Sequence, residues 1–119
     1  MLVRDLHHVS INVADVERSL TFYVGVLGME HLPRPELSVD GAWLGFAGGR
    51  QVHLIEAAVP DDRGQHFAFQ VDDIDAAVAA LRANGTNVRG PVSVGDTAAR
   101  QAFFHDPDGN RLELNEPGR

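Results

Sequence analysis

The sequence predicts an α+β fold made of two tandem βαβββ modules, because it contains an internal repeat whose copies each join a strand pattern to a helix pattern. The first copy, from His8 to Val16, reads His-Val-Ser-Ile-Asn-Val-Ala-Asp-Val. The second copy, from His66 to Ile74, reads His-Phe-Ala-Phe-Gln-Val-Asp-Asp-Ile. His8 and His66 are 58 residues apart, so the repeat predicts two modules of about that length.

Each copy begins with a strand, because alternating apolar and polar residues lie on opposite faces of a sheet. The apolar face carries Val9, Ile11 and Val13 in the first copy and Phe67, Phe69 and Val71 in the second. The opposite face carries His8, Ser10 and Asn12 in the first copy and His66, Ala68 and Gln70 in the second. We expect the helix of each module to cover the apolar face, which leaves both histidines on the free face.

A helix follows each strand. Asp15 and Asp73 are suited to cap the two helices at their N-termini. Apolar residues at helical spacing form a stripe in each, made of Val16, Leu20, Val24 and Leu27 in the first and Ile74, Ala77, Val78 and Leu81 in the second. Gly25 and Gly28 bracket the end of the first helix, and Asn84-Gly85 ends the second.

Three shorter strands should follow each helix. They are Met29–Arg34, Ala42–Ala47 and Gln51–Ala57 in the first module, and Asn87–Ser93, Arg100–His105 and Arg111–Asn115 in the second. Asp106-Pro107-Asp108-Gly109 is a strong turn signal between the last two. Pro33 and Pro35 mark a strand edge or a loop, because proline cannot donate a hydrogen bond within a central strand.

Length and composition are those of an ordinary globular protein. With 119 residues, we expect a single domain over 1–119, with module 1 at about 1–60 and module 2 at about 61–119. No apolar run approaches the roughly 20 residues that cross a bilayer, and the N-terminus lacks the features of a signal peptide, so we expect a cytoplasmic protein. The absence of cysteine excludes disulfides and thiolate zinc sites. The net charge of -7 argues against nucleic acid or an anionic membrane as partner.

The last strand of each module carries a candidate metal ligand on the same face as the first strand's histidine. Residues that suit the covered face flank these two candidates, with Val52 and Leu54 around His53, and Leu112 and Leu114 around Glu113. His8, His53, His66 and Glu113 therefore occupy corresponding faces of four strands. Three imidazoles and one carboxylate suit a divalent ion such as Zn, Ni, Co, Mn or Fe. Two coordination positions would remain open for a substrate if the ion is six-coordinate.

Other polar and aromatic residues carry weaker signals. Glu56 is an alternative to His53 as the second ligand, although at three residues' distance it should lie on the opposite face unless a bulge intervenes. His7 should point away from His8. The candidates for the wall of a substrate pocket are Asn12, Trp43, Gln70 and Arg100.

Several segments together resemble one known superfamily over nearly the whole chain. They are His8-Val-Ser-Ile-Asn-Val-Ala-Asp, Phe22-Tyr23, Leu27-Gly28, His53-Leu-Ile-Glu56 and Asp106-Pro-Asp-Gly-Asn-Arg-Leu-Glu113. This pattern is similar to the vicinal oxygen chelate (VOC) superfamily, which includes glyoxalase I, fosfomycin-resistance thiol transferases, methylmalonyl-CoA epimerase, extradiol dioxygenases and bleomycin-resistance proteins. The motifs identify the superfamily better than the reaction.

The resemblance implies a metal site and a mode of assembly. Ligands on the first and fourth strands of each module correspond to His8, His53, His66 and Glu113. Pairing of modules from two chains, as in glyoxalase I, implies a homodimer in which one subunit supplies His8 and His53 and the other supplies His66 and Glu113. Metal-dependent glyoxalases carry Glu or Gln at the position of His53, so the histidine is a departure.

The resemblance also implies a reaction class. We expect a metal-dependent lyase or isomerase that stabilises an enediolate or oxyanion of a small oxygenated substrate, with Glu113 as the catalytic group that shuttles a proton. Glyoxalase I would carry an arginine where Asn12 stands, which argues against a glutathione adduct as substrate. The alternatives are a fosfomycin-resistance-type thiol transferase, a dioxygenase, and a non-enzymatic drug-binding dimer of the bleomycin-resistance type. The intact ligand set counts against the last.

Overall fold

The computed structural model describes residues 1–118. The chain forms two compact units, Met1–Pro60 and Asp61–Arg119, each with a strand, a helical segment and three further strands. The α+β class and the two tandem modules predicted from the sequence are confirmed. None of the helices within residues 1–118 combines the length and the hydropathy needed to span a membrane.

The first unit contains four strands and one helical segment. In chain order they are β1 (His8–Val13), α1 (Val16–Leu20), a π-helical stretch (Thr21–Val26), β2 (Glu30–Leu32), β3 (Gly41–Gly45) and β4 (Gln51–Glu56). Asp15 caps α1 by accepting a hydrogen bond from the backbone N–H of Arg18 at 3.1 Å. The strands form one sheet in the order β1-β4-β3-β2.

The second unit repeats this arrangement. Its elements are β5 (Phe67–Gln70), α2 (Ile74–Ala83), β6 (Arg89–Ser93), β7 (Arg100–His105) and β8 (Arg111–Glu116). Asp73 caps α2 by accepting from the backbone N–H of Ala76 at 3.0 Å. The strand order β5-β8-β7-β6 matches that of the first sheet.

In each sheet the first and fourth strands of the module are parallel neighbours. Ser10 on β1 is aligned with His53 on β4, and Ala68 on β5 is aligned with Glu113 on β8. Side chains of aligned residues share a face, so the alternation that separates faces along one strand carries over to its neighbour. The fold therefore places the candidate ligands of each module on adjacent strands and on one face.

The apolar face of each sheet is the buried one. Its fully or nearly fully buried side chains include Val13, Leu44, Val52 and Leu54 in the first unit and Phe69, Ala102, Phe104 and Leu112 in the second. The helical segments contribute Tyr23 to the first core and Ile74, Val78 and Leu81 to the second. This confirms that the helices cover the faces opposite to the histidines.

Four elements differ from the sequence-based expectation, and the simplest difference is that β3 ends at Gly45 rather than Ala47. The first helix is α-helical only up to Leu20. From Thr21 onward it is π-helical, and the N–H of Leu27 donates to the carbonyl of Phe22. β2 ends at Leu32 because Pro33 has no N–H to continue the ladder. β6 begins at Arg89 rather than Asn87, and its pairing with β7 shifts register between Arg89 and Val92.

Candidate metal centre

The structure groups the four predicted ligands into two pairs, one in each unit. His8 and His53 form the first pair, and His66 and Glu113 form the second. Within residues 1–118, no group of three or more His, Asp or Glu side chains is arranged to hold a metal ion. We call each pair a half-site, since each holds two of the four predicted ligands.

In the first half-site the two imidazoles are stacked. The ring centroids of His8 and His53 are 4.0 Å apart and their planes differ by 14°. Trp43, aligned with His53 on β3, stacks on the other side of the His53 ring at 4.5 Å. His53 is held between two aromatic planes, which fixes the orientation of its ring.

The protonation of His53 follows from its surroundings. Its Nε2 lies 2.7 Å from the side-chain oxygen of Gln51, so Nε2–H donates and the lone pair of the neutral ring is on Nδ1. Burial is the main cause that lowers the pKa of His53, and the nearby His8, His7 and Arg34 lower it further. A lowered pKa keeps the imidazole neutral, which is the form that binds a metal.

His7 does not point away from His8, contrary to the expectation from alternation. The Nδ1 atoms of the two rings are 2.9 Å apart, and the rings meet edge to face. His7 precedes β1, where the alternation of the strand does not yet apply. His7 thus belongs to the surroundings of the first half-site.

The second half-site is a histidine beside a carboxylate. His66 Nε2 is 3.0 Å from Oε1 of Glu113, and Glu113 is only 8% exposed. His66 Nδ1 is 2.8 Å from the carbonyl oxygen of Gly64, so Nδ1 carries the hydrogen. This bond directs Nε2 towards Glu113, and a backbone carbonyl bound to the second nitrogen is typical of metal-binding histidines. Asn115 donates to Oε2 of Glu113 at 3.1 Å.

A carboxylate in the loop before β5 stabilises the backbone that orients His66. Asp62 accepts hydrogen bonds from His105 Nε2 at 2.8 Å, Arg111 Nε at 3.1 Å and the backbone N–H of Gly64 at 2.9 Å. The bond from His105 is the largest cause that lowers the pKa of Asp62, and the bonds from Gly64 and Arg111 add to it. Asp62 thereby fixes the loop whose carbonyl orients His66. Neither Asp62 nor Gly64 was identified from the sequence, since loop residues carry no periodic signal.

The donor sets of the half-sites suit a divalent metal ion. The second offers the Nε2 of a tautomer-fixed imidazole beside a buried carboxylate oxygen, and the first offers two imidazoles on adjacent strands. Three nitrogens and one oxygen match the preferences of zinc, nickel and cobalt, and of iron and manganese less strongly.

Of the four residues expected to line a substrate pocket, three lie on the free faces of the sheets and one does not. Trp43 and Gln70 lie on the faces of His53 and Glu113 respectively. Asn12 also lies on the free face of its sheet, and its amide donates to the carbonyl of Ala58 at 2.8 Å. Arg100 differs from the expectation, because its guanidinium binds both carboxylate oxygens of Asp75 in the first turn of α2, at 2.7 and 2.9 Å.

Arg100 alternates with Ala102 and Phe104, both of which are buried on the helix-covered face. The pocket-lining role expected of Arg100 is therefore corrected to an ion pair that joins β7 to α2. The bond to Asp75 raises the pKa of Arg100, and that bond also lowers the pKa of Asp75.

Glu56 caps a helix. Its Oε1 accepts from the backbone N–H of Val16 at 3.3 Å, at the start of α1. Glu116, at the matching position of the second unit, accepts from the N–H of Ile74 at 2.9 Å. The repeated contact gives Glu56 a role at the helix N-terminus, where a carboxylate is favoured.

Two tandem βαβββ units, each with its first and fourth strands parallel and adjacent, define a protein with the glyoxalase type of fold. The model of the Glyoxalase/Bleomycin resistance protein/Dioxygenase superfamily matches residues 5–114. A lactoylglutathione lyase from Haemophilus influenzae is 38% identical, over 92% of this chain and 90% of its own length.

Solved structures agree. A glyoxalase family protein from Bacillus anthracis superimposes with a TM-score of 0.87 at 25% identity and covers 100% of this chain and 98% of its own. An antibiotic-binding protein from a Streptomyces species has a TM-score of 0.84 at 29% identity, over 99% of both chains. The chain belongs to the glyoxalase, bleomycin resistance protein and dioxygenase superfamily, as the sequence motifs predicted.

Proposed function

We propose that this protein is a divalent-metal-dependent lyase or isomerase of the glyoxalase type, acting on a small oxygenated substrate through an enediolate or oxyanion. The observation that carries the proposal is the geometry of His66, whose Nδ1–H is tied to the carbonyl of Gly64 and whose Nε2 faces Glu113. The relatives named lactoylglutathione lyase support the reaction class.

His8, His53, His66 and Glu113 would hold the ion. A bound divalent ion would act as a Lewis acid on substrate oxygens and stabilise the negative charge that builds there. Asn115 holds one oxygen of Glu113, and Gly64 fixes the tautomer of His66, so both groups are oriented before a substrate arrives.

Glu113 is the proposed proton carrier. It is a buried carboxylate whose Oε1 faces His66 and whose Oε2 accepts from Asn115. Oε1 would take a proton from the substrate carbon and return it to a neighbouring atom, which is the proton movement that an isomerase or a lyase of this type requires. Burial limits exchange of that proton with water.

Glutathione is not the substrate that the residues favour. Asn12 stands where a glyoxalase I arginine would hold the glutathione carboxylate, and its amide is engaged by the carbonyl of Ala58. We therefore propose an oxygenated substrate without glutathione. Turnover of the glutathione hemithioacetal of methylglyoxal at rates typical of enzymes would contradict this part of the proposal.

Substitution of Glu113 tests the metal centre. Glu113→Gln removes the negative charge of the ligand while it keeps the shape of the side chain, and we expect the affinity for Ni, Co or Zn to fall at least tenfold in equilibrium dialysis. Glu36→Gln makes the same chemical change at an exposed position and should leave the affinity unchanged. Equal affinities in wild type and Glu113→Gln would overturn the assignment.

The homodimer is part of the proposal, with half-sites from two chains in each metal centre. Mixing a His8→Ala chain with a Glu113→Gln chain tests it, because a mixed dimer would contain one centre with both defects and one intact centre. We expect mixing and reassembly to restore metal binding that each variant lacks alone. Failure to restore it in verified mixed dimers would contradict sharing between chains.

A second candidate is a non-enzymatic drug-binding dimer. The stacked rings of Trp43, His53 and His8 form an aromatic surface suited to a planar ligand, and the antibiotic-binding protein of similar structure supports this reading. The metal measurement separates the two candidates, since a binder of this kind would bind its ligand equally well in the presence of a chelator.

A further inference from the structure

The second unit contains a cavity of about 600 Å³ where the segment 86–88 leads into β6 at the edge of the sheet. This volume lies within the range of small-molecule sites. The side chains that matter for its chemistry are Arg82, Arg89, Phe103, His105 and Arg111. All belong to the second unit.

The cavity is positively charged in a protein of net charge -7. Arg82 donates to the carbonyls of Val88 and Gly90 at 3.0 and 2.9 Å, which satisfies hydrogen bonds without neutralising its charge. Arg111 and His105 both donate to the carboxylate of Asp62. Among the described residues, the lining of the cavity contains three guanidinium groups and no carboxylate.

Arg89 is the arginine of the cavity that is best placed to bind an anion. Among residues 1–118 it has no carboxylate partner, and its contact is with the ring of Phe103, 5.3 Å from guanidinium carbon to ring centroid. A guanidinium that lies over an aromatic ring keeps its N–H donors in its own plane, where they can bind an oxyanion in bidentate fashion.

Phe103 connects this cavity with the second half-site. It is aligned with Glu113 on β8, and its ring meets the ring of His66 edge to face at 5.4 Å. A ligand whose charged end is held at Arg89 would therefore extend across Phe103 towards His66 and Glu113.

We propose that this cavity binds the oxyanion end of the substrate, a carboxylate or a phosphate group. Arg89 is its main partner, and Arg82 and Arg111 supply the surrounding positive potential. The proposal deepens the proposed function by naming the class of substrate, a small oxygenated molecule with an anionic group, and it rests on that function only for the link to the reaction.

Anion binding can be measured on the metal-free protein. We would titrate inorganic phosphate, and separately acetate, while following the arginine Nε–H signals by NMR at low ionic strength. We expect saturable shifts of the Arg89 signal, with the tighter of the two anions indicating which group the cavity prefers. Shifts that stay linear in concentration for both anions would overturn the proposal.

A pair of variants separates specific binding from general charge. Arg89→Met should weaken binding of the preferred anion at least tenfold, because it removes a charge-assisted pair. Arg50→Met removes the same charge from an exposed residue that is paired with Asp5, and should change the affinity less than twofold. Equal losses of anion affinity in both variants would contradict a specific binding site at Arg89.

The proposed function is tested independently, because Glu113→Gln should retain phosphate binding while it loses metal. Loss of anion binding in Arg89→Met with metal affinity intact is the expected pattern. If no anion binds but the metal does, the cavity proposal fails and the metal centre stands. If the anion binds but the metal does not, the metal centre fails and the cavity proposal stands.

Discussion

Replacing Asp62 with alanine should weaken metal binding, although Asp62 is not a proposed ligand. Asp62 holds the loop before β5 through three hydrogen bonds, from His105, Arg111 and the N–H of Gly64. The carbonyl of Gly64 in turn accepts from Nδ1 of His66. Without the carboxylate, the loop gains freedom and His66 loses its fixed orientation.

The expected loss of metal affinity depends on how many contacts separate Asp62 from the metal-binding atom of His66. Groups that bind directly to a metal-ligating histidine change affinity about 10- to 100-fold when they are removed. Asp62 acts one step further out, through the backbone of Gly64, so we expect the lower end, about a tenfold loss.

Competition with a chelator measures this loss, and Asp61→Ala is the matched control. Asp61 is the preceding residue, and its side chain is 88% exposed against 23% for Asp62. Within residues 1–118 its only ion pair is a 4.0 Å contact with Arg63. Asp61→Ala should leave the affinity unchanged. An unchanged affinity in Asp62→Ala, or equal losses in both variants, would refute the reasoning. In the metal-free protein, Asp62→Ala should also broaden the NMR signal of the His66 Nδ1–H.

The same carboxylate predicts a dependence of stability on pH. Because its partners lower the pKa of Asp62 in the folded state, its contribution to stability is complete above the unfolded value of about 3.9 and is lost as pH falls from there through the folded pKa. The difference in urea midpoint between wild type and Asp62→Asn should be constant between about pH 5 and 6 and shrink below about pH 4. A difference that disappears near neutral pH instead would assign the effect to histidine.

Two further predictions concern the first half-site. His53→Ala should lower metal affinity at least tenfold in equilibrium dialysis, whereas Glu56→Ala should leave it unchanged and cost about 1 kcal/mol of stability through loss of the contact with the N–H of Val16; the opposite pattern would make Glu56 the ligand. Trp43 is the only tryptophan and stacks on His53, so nickel or cobalt should quench its fluorescence saturably in wild type but not in His53→Ala. Trp43 fluorescence that stays unchanged at saturating metal would contradict binding at His53.

Much of the fold could be predicted because the apolar residues of its strands and of its helices recur with regular periods. Alternation in β1 and β5 placed Val13 and Phe69 on the covered faces, and the residues flanking His53 and Glu113 did the same for β4 and β8. The π-helical stretch could not be predicted, because a hydrogen-bond shift from four to five residues leaves no apolar period of its own.

The candidate site was less predictable than the fold. Alternation placed each candidate on a face, but it says nothing of contacts beyond the strand, such as the pair of His7 and His8 or the bonds of Asp62. For Arg100 the signal was present, since it alternates with Ala102 and Phe104, yet its partner Asp75 depends on how α2 lies over the sheet. Contacts that join loops or helices to strands require coordinates.

Elemental analysis of the protein after loading with nickel, cobalt or zinc and exhaustive dialysis tests the metal centre most directly. We expect one tightly held ion per chain, and a clear loss of that ion in each of the single variants His8→Ala, His53→Ala, His66→Ala and Glu113→Gln. A chain that retains no ion, or four variants that retain as much as the wild type, would contradict it.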